Sequence, residues 1–137
     1  MRSVTRAILA GLPLLACAGH LQAHHAFATE FDVNSPVSFT GTVSKVELIN
    51  PHSWIHVDVQ DEQGERATWM IEGGSPNALV RRGVTKASIP IGAELRVNGY
   101  QARDGSHRAV GRDIHFADGR PLFFEGSGPR AETAPAP

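Results

Sequence analysis

Five segments of this chain alternate apolar and polar residues, and this pattern constrains the fold more than any other feature. Alternation with a period of two is typical of β-strands that bury one face. Turn residues such as Asn50-Pro51 and Asp104-Gly105 separate the segments. Gly41 interrupts the longest segment and predicts a bend or a close backbone crossing. The predicted strands span residues 36–48, 52–59, 66–72, 94–102 and 108–116.

A short helix is predicted between the third and fourth strands. Ser75 is a typical N-cap residue, Pro76 suits the first helical position, and Gly83 suits the position after the C-cap. Residues 85–89 are predicted to add a further turn. Three strands, one short helix and two strands give the element order of a small five-stranded OB-like barrel. A small open sandwich or a six-stranded barrel fits the same mainly β pattern.

The alternation also predicts which side chains face the core, because successive residues of a strand point to opposite faces. In the second strand the predicted inward residues are Ser53, Ile55, Val57 and Val59. The outward residues of the same strand are then His52, Trp54, His56 and Asp58. In the fifth strand we expect one shared face for Val110, Arg112, Ile114 and Phe116.

The first 23 residues have the features of a secretory signal peptide. Arg2 and Arg6 form a basic start, residues 7–16 form a short apolar stretch, and Ala23 precedes the predicted cut. That stretch is shorter than the about 20 apolar residues that a membrane-spanning helix needs. We therefore expect export to the periplasm or the medium, no transmembrane segment, and a mature chain that starts at His24.

Two other processing frames fit the same region. A cut after Ala18 would start the chain at Gly19, and a lipobox ending in Cys17 would make this cysteine a lipidated first residue. Cys17 is the only cysteine, so no disulfide is expected in the mature domain. With the cut after Ala23, residues 24–125 are predicted to form one barrel domain with an N-terminal arm, and residues 126–137 a disordered tail.

Charge and motifs argue against two classes of function. The net charge of −1 becomes −3 once Arg2 and Arg6 leave with the signal peptide, so we expect no nucleic-acid partner. The sequence holds no phosphate-binding glycine loop, no nucleophile elbow and no H-E-x-x-H zinc motif. It therefore favours a small binding protein over an enzyme and assigns no catalytic residue.

An N-terminal His24 predicts a metal site. Such a residue offers its α-amine and its ring Nδ1 to one ion, and the amine loses its proton near neutral pH more readily than lysine does. All-nitrogen tetragonal sites favour copper(II), with nickel(II) or a similar divalent ion second. His25 lies beside it, and His52 is the predicted additional imidazole. If Ala23 stays on the chain, His25 becomes the third residue and again favours copper.

Phe27, Phe31 and Val33 are predicted to dock the N-terminal arm on the barrel and so to preorganise His24. The alternative to a metal site is a non-metal binding module, in which Trp54 and His56 contact a peptide, a glycan or another envelope protein. His52 and His56 are about 13 Å apart on an extended strand, so they are not expected to share one ion.

Three sequence blocks stand in order along the chain: HHAF at 24–27, NPHSW at 50–54 and SPNALVRRG at 75–83. Together they resemble a family of small exported bacterial proteins that is known only as a domain of unknown function. The family's usual HHSF start has Ala26 in place of serine here. His56 stands where the family carries tyrosine, so the resemblance gives it no shared role. The resemblance implies membership of this family, and it does not imply an activity.

Overall fold

Five strands form a closed barrel in the computed structural model, which describes residues 27–122 and Phe124. A short helix, α1 (Pro76–Arg81), and a 3-10 turn, η1 (Lys86–Ser88), lie between the third and fourth strands. The strands are β1 (Phe31–Ile49), β2 (His52–Gln60), β3 (Arg66–Gly73), β4 (Glu94–Ala102) and β5 (Arg108–Phe116). The predicted signal peptide, His24, His25 and the predicted tail lie outside the described residues.

The strand order around the barrel is β1-β2-β3-β5-β4, and β4 pairs with β1 to close the ring. All neighbouring strands are antiparallel except β3 and β5, which run parallel. This order, with the helix between β3 and β4, is that of a five-stranded Greek-key OB-type barrel. The fold predicted from the element order is confirmed.

The first strand closes the barrel by pairing with two neighbours in succession. Residues 36–42 of β1 pair with β4, and residues 42–49 pair with β2. Gly41 lies at the change of partner, where an added Cβ would stand 2.5 Å from the carbonyl oxygen of Asp58. Only glycine fits this crossing without a backbone shift, as the sequence predicted.

The barrel interior is filled by aliphatic side chains from all five strands. The inward face of β2 matches the prediction, with Ser53, Ile55 and Val57 fully buried and Val59 partly buried. Leu79 of α1 is buried in the same cluster. The strand residues of this cluster are Val43, Val46, Ile55, Val57, Ile71, Leu95, Val97, Ala109 and Ile114.

The helix begins and ends where the sequence predicted. The hydroxyl of Ser75 accepts a hydrogen bond from the backbone N–H of Ala78, and Pro76 occupies the first turn. Gly83 follows the C-cap with φ of 78°, a left-handed conformation that favours glycine. No helix in the described part of the chain is long and apolar enough to cross a membrane.

Three predictions about the strands were wrong. β1 begins at Phe31 and not at Pro36, because irregular pairing with β4 extends the strand toward its N-terminal end. Val33 is 48% exposed and does not dock, since it lies within that irregularity. Val110 does not share a face with Ile114, because the β4–β5 register shifts next to Arg112 and reverses the alternation. Val110 instead packs in a separate outer cluster.

Candidate functional site

The outward face of β2 carries three ring-bearing side chains in a row, namely those of His52, Trp54 and His56. Trp54 and His56 lie between buried residues, and His52 precedes buried Ser53 at the start of the strand, so all three point outward. The register places Trp54 between Glu47 of β1 and Glu72 of β3. Trp54 therefore lies between two carboxylates across this face, and each histidine contacts one of them.

Glu72 is a buried carboxylate, with 2% of its surface exposed. Its Oε1 lies 2.9 Å from Nδ1 of His52. This is a close polar contact, in which the carboxylate would accept a hydrogen bond from a protonated Nδ1. A charge removed from water requires such a partner. Glu72 precedes the end of β3 at Gly73, opposite the start of β2, so the two strands bring these residues together.

The other ring nitrogen of His52 remains open. The side chain of His52 is 45% exposed, and Nε2 has no hydrogen-bond partner among the residues that the structure describes. In the neutral tautomer that carries its proton on Nδ1, the Nε2 lone pair would be the one open to a ligand. This arrangement, a carboxylate that fixes an imidazole from behind, is the usual environment of a metal-ligating histidine.

His56 is paired differently, through its Nε2, which lies 2.7 Å from Oε2 of Glu47. Hydrogen bonds from Lys45 and then His56 lower the pKa of Glu47. The Lys45 ammonium is 2.7 Å from the other carboxylate oxygen, so Glu47 joins two basic side chains. The arrangement is a charged surface network in which His56 is one member.

The N-terminal segment of the described chain is held on the outside of the barrel. Residues 27–30 are helical, and Phe27 and Phe31 are buried to 5% and 1% exposure. They pack against Val110 and Ala102, with Tyr100 at the edge of the same cluster. The Phe27 and Tyr100 rings meet edge to face, with 6.1 Å between centroids. The predicted docking of both phenylalanines is confirmed.

Two arginines of the β4–β5 hairpin add polar contacts to this segment. The Nε of Arg103 donates to the carbonyl oxygen of Ala28 at 2.7 Å. Nη1 of Arg108 lies 2.8 Å from Oε1 of Glu30. The sequence analysis missed both contacts, because they join positions more than 70 residues apart.

The anchored segment and the His52–Glu72 pair are neighbours in the sheet. Glu72 is the register partner of Val110 across the parallel β3–β5 pairing. Val110 in turn packs in the same cluster as Phe27 and Phe31. The backbone of Glu72 is therefore one strand spacing, about 4.8 Å, from that of Val110, which packs against the anchored phenylalanines.

The remaining described histidines lie away from this pair. The His107 ring stacks on Trp69, with 5.0 Å between centroids. His115 bridges through its backbone to Pro121. Among residues 27–122 and Phe124, no group of three or more His, Cys, Asp or Glu side chains is placed to hold a metal ion. The described chain thus brings His52 to Glu72, and the predicted ligands His24 and His25 lie outside it.

The model of DUF6152, a family of unknown function, matches residues 11–111. The chain belongs to this family. The resemblance predicted from its sequence blocks is therefore confirmed, and the DUF6152 match covers every strand up to the middle of β5. No curated protein matches the sequence. Among solved structures, the mitochondrial single-stranded DNA-binding protein Rim1 of S. cerevisiae is similar at 15% identity, with a TM-score of 0.48, over 61% of this chain and 93% of that one.

Proposed function

We propose that this DUF6152 protein is an exported binding protein that holds copper(II) through His24, His25 and His52. The α-amine and ring Nδ1 of His24 would chelate the ion, and Nε2 of His52 would supply a further nitrogen. His25 would add an imidazole beside the terminus. Nitrogen ligands in a tetragonal arrangement favour copper(II) over other common divalent ions.

The observation that carries this proposal is the contact between His52 and the buried carboxylate of Glu72. Glu72 would orient the ring of this exposed histidine and favour the tautomer with a free Nε2 lone pair. A solvated histidine needs no such support. Carboxylates placed behind metal-ligating histidines typically raise metal affinity 10- to 100-fold.

The position of the anchored segment supports a ligand from the N-terminal side. Three residues of polypeptide span at most about 11 Å, which limits how far His24 can lie from Phe27. Phe27 packs in the cluster that contains Val110, the register neighbour of Glu72. Phe27 is thus linked to Glu72 through Val110, and anchoring of Phe27 would reduce the entropy lost when the preceding histidines bind a metal.

Processing decides whether the proposed chelate exists. Residues 1–23 are proposed to be a signal peptide that directs the chain to the periplasm or the medium. Cleavage at Ala23 would create the His24 amine. A chain that starts at Gly19, or at a lipidated Cys17, would keep both histidines as internal side chains and lose the chelate.

The alternative, a module that docks a peptide, a glycan or an envelope protein on Trp54 and His56, has weaker support on this face. His56 is 16% exposed and already paired with Glu47. Trp54 is partly buried between two carboxylate-bearing strands. These rings offer a partner little free surface. A Trp54→Ala variant should therefore keep the copper affinity of the parent chain.

The test begins with the full chain exported from a bacterial host and purified in its processed form. N-terminal sequencing and intact mass should give His24 as the first residue. Equilibrium dialysis with copper(II) should then show one tight site. Replacement of both His24 and His25 by alanine should weaken it about a hundredfold, or about 2.7 kcal/mol.

The matched control is His115→Ala, which removes an imidazole of β5 that has no part in the proposed site and should leave the affinity unchanged. A processed protein that starts at His24 and binds copper no better than the His24→Ala, His25→Ala variant would overturn the proposal. So would equal losses in this variant and in the control, since they would indicate non-specific binding by surface histidines.

A further inference from the structure

A polar groove lies on the barrel surface at the place where β1 leaves β2. The last register pair between these strands is Thr42 with Asp58, after which β1 pairs only with β4. β2 and β3 stay paired as far as Gln60 and Arg66. The strands therefore diverge and open a groove of about 530 Å³. This volume is within the range of small-molecule sites.

Acceptor groups dominate one wall of the groove. Oδ1 of Asp58 accepts hydrogen bonds from the hydroxyls of Thr68, at 2.7 Å, and Ser44, at 3.0 Å. Because the Thr68 hydroxyl hydrogen is used in this bond, its oxygen faces the groove as an acceptor. Asp58 Oδ2 has no hydrogen-bond partner within the described ranges. A ligand must therefore donate hydrogen bonds to this wall.

The rest of the groove combines a donor with an apolar floor. Arg66 lines it and makes no ion pair with another described residue. Val59 and Ala67 also line the groove and are partly exposed. Glu94 adds a second carboxylate, so the formal charge of the lining side chains is −1. A polyanion would be repelled, whereas a neutral or amine-bearing ligand would not.

We propose that this groove binds a short glycan chain. Sugar hydroxyls both donate and accept, so they can donate to Asp58 and Thr68 and accept from Arg66 at once. The C–H face of a pyranose ring can lie on Val59 and Ala67, burying apolar surface. The proposal requires neither a metal nor any of His24, His25 and His52, so it stands or falls separately from the proposed copper site.

The test is a titration of the ¹⁵N-labelled processed protein by two-dimensional NMR. The probes are chitotetraose, its fully deacetylated form, and a hyaluronan tetrasaccharide as the anionic counterpart. We expect saturable shifts of the Asp58, Thr68 and Arg66 amides with at least one of the first two probes. Hyaluronan should bind at least about tenfold more weakly than that probe, because the groove repels anions.

Two variants locate the site, Asp58→Asn and Arg66→Ala. Each should weaken binding of the better probe about tenfold, the typical loss of one hydrogen bond to a charged group. Arg81→Ala, an exposed arginine on α1, is the matched control and should bind as the parent does. Arg66 is exposed, so its variant gives a result even if Asp58→Asn fails to fold.

Binding by chitotetraose or its deacetylated form that both groove variants reduce supports the proposal. The proposal is overturned if neither neutral nor amine-bearing probe shifts the groove amides, or if the shifts occur elsewhere on the barrel. It is also overturned if Arg66→Ala and Arg81→Ala bind equally well. Preferential binding of hyaluronan would contradict the charge argument on which the ligand class rests.

Discussion

Two carboxylate–imidazole pairs occupy opposite ends of the outward β2 face, and they are built in opposite ways. In the His52–Glu72 pair the carboxylate is 2% exposed and the imidazole 45%. In the His56–Glu47 pair the carboxylate is 26% exposed and the imidazole 16%. The two distances, 2.9 and 2.7 Å, are nearly equal. Distance alone therefore does not distinguish the proposed ligand from a surface ion pair.

Burial of the carboxylate makes the difference. Glu72 is shielded from water and lies against Nδ1 of His52, whose side chain is 45% exposed. Glu47 is shared with Lys45 and reaches water, and exposed pairs of this kind contribute little to stability. The comparison predicts that changes at Glu72 affect folding and copper binding, whereas the same changes at Glu47 affect neither strongly.

The largest expected effect is on folding. Glu72→Ala should lower the free energy of unfolding by about 2 kcal/mol, because it leaves a cavity and removes the buried acceptor of His52. Glu47→Ala should cause a much smaller change. Urea unfolding of both variants, followed by tryptophan fluorescence, measures the difference. Equal destabilisation by the two variants would show that burial of Glu72 does not contribute to the free energy of unfolding.

The second effect is on copper affinity. Glu72→Gln keeps the size of the side chain and removes its charge, so it should weaken copper(II) binding about 10- to 100-fold by leaving His52 less basic. Glu47→Gln is the matched control and should bind as the parent does. Equilibrium dialysis of the two processed variants makes the comparison. A larger loss in Glu47→Gln would assign the metal to the His56 end.

The smallest expected effect is on the pKa of Glu47, the carboxylate of the His56–Glu47 pair. Hydrogen bonds from Lys45 and from His56 hold the pKa of Glu47 below its ordinary value of 4.5. The resulting stabilisation is fully present above pH 4.5 and is lost as pH falls through the lowered pKa. Carbon-detected NMR should show a higher pKa for Glu47 in Lys45→Met, and a smaller rise in His56→Gln. An unchanged pKa in Lys45→Met would contradict the charged network.

Much of the barrel could be predicted from the sequence, because its signals are local. The alternation in β2 identified the inward residues, and Ser75, Pro76 and Gly83 marked the ends of α1. The register shift beside Arg112 could not be predicted, since it depends on how β4 and β5 pair. Val110 was therefore assigned to the wrong face.

The candidate site could be predicted only in part. His52 was identified from its place at the start of β2, and Glu72 was recognisable only as a charged residue on a strand. Its burial and its contact with His52 depend on the β2–β3 register and on the parallel pairing with β5. Arg103 and Arg108, which hold the N-terminal segment, likewise act across more than 70 residues of sequence.

The central claim is that Glu72 prepares His52, and not His56, to bind copper. Electron paramagnetic resonance of copper(II) bound to the processed protein, with nitrogen couplings resolved by pulsed methods, tests it directly. The parent and His56→Ala should give the same all-nitrogen tetragonal signal, whereas His52→Ala should lose one imidazole coupling. An unchanged signal in His52→Ala, or the loss of that coupling in His56→Ala, would contradict the account.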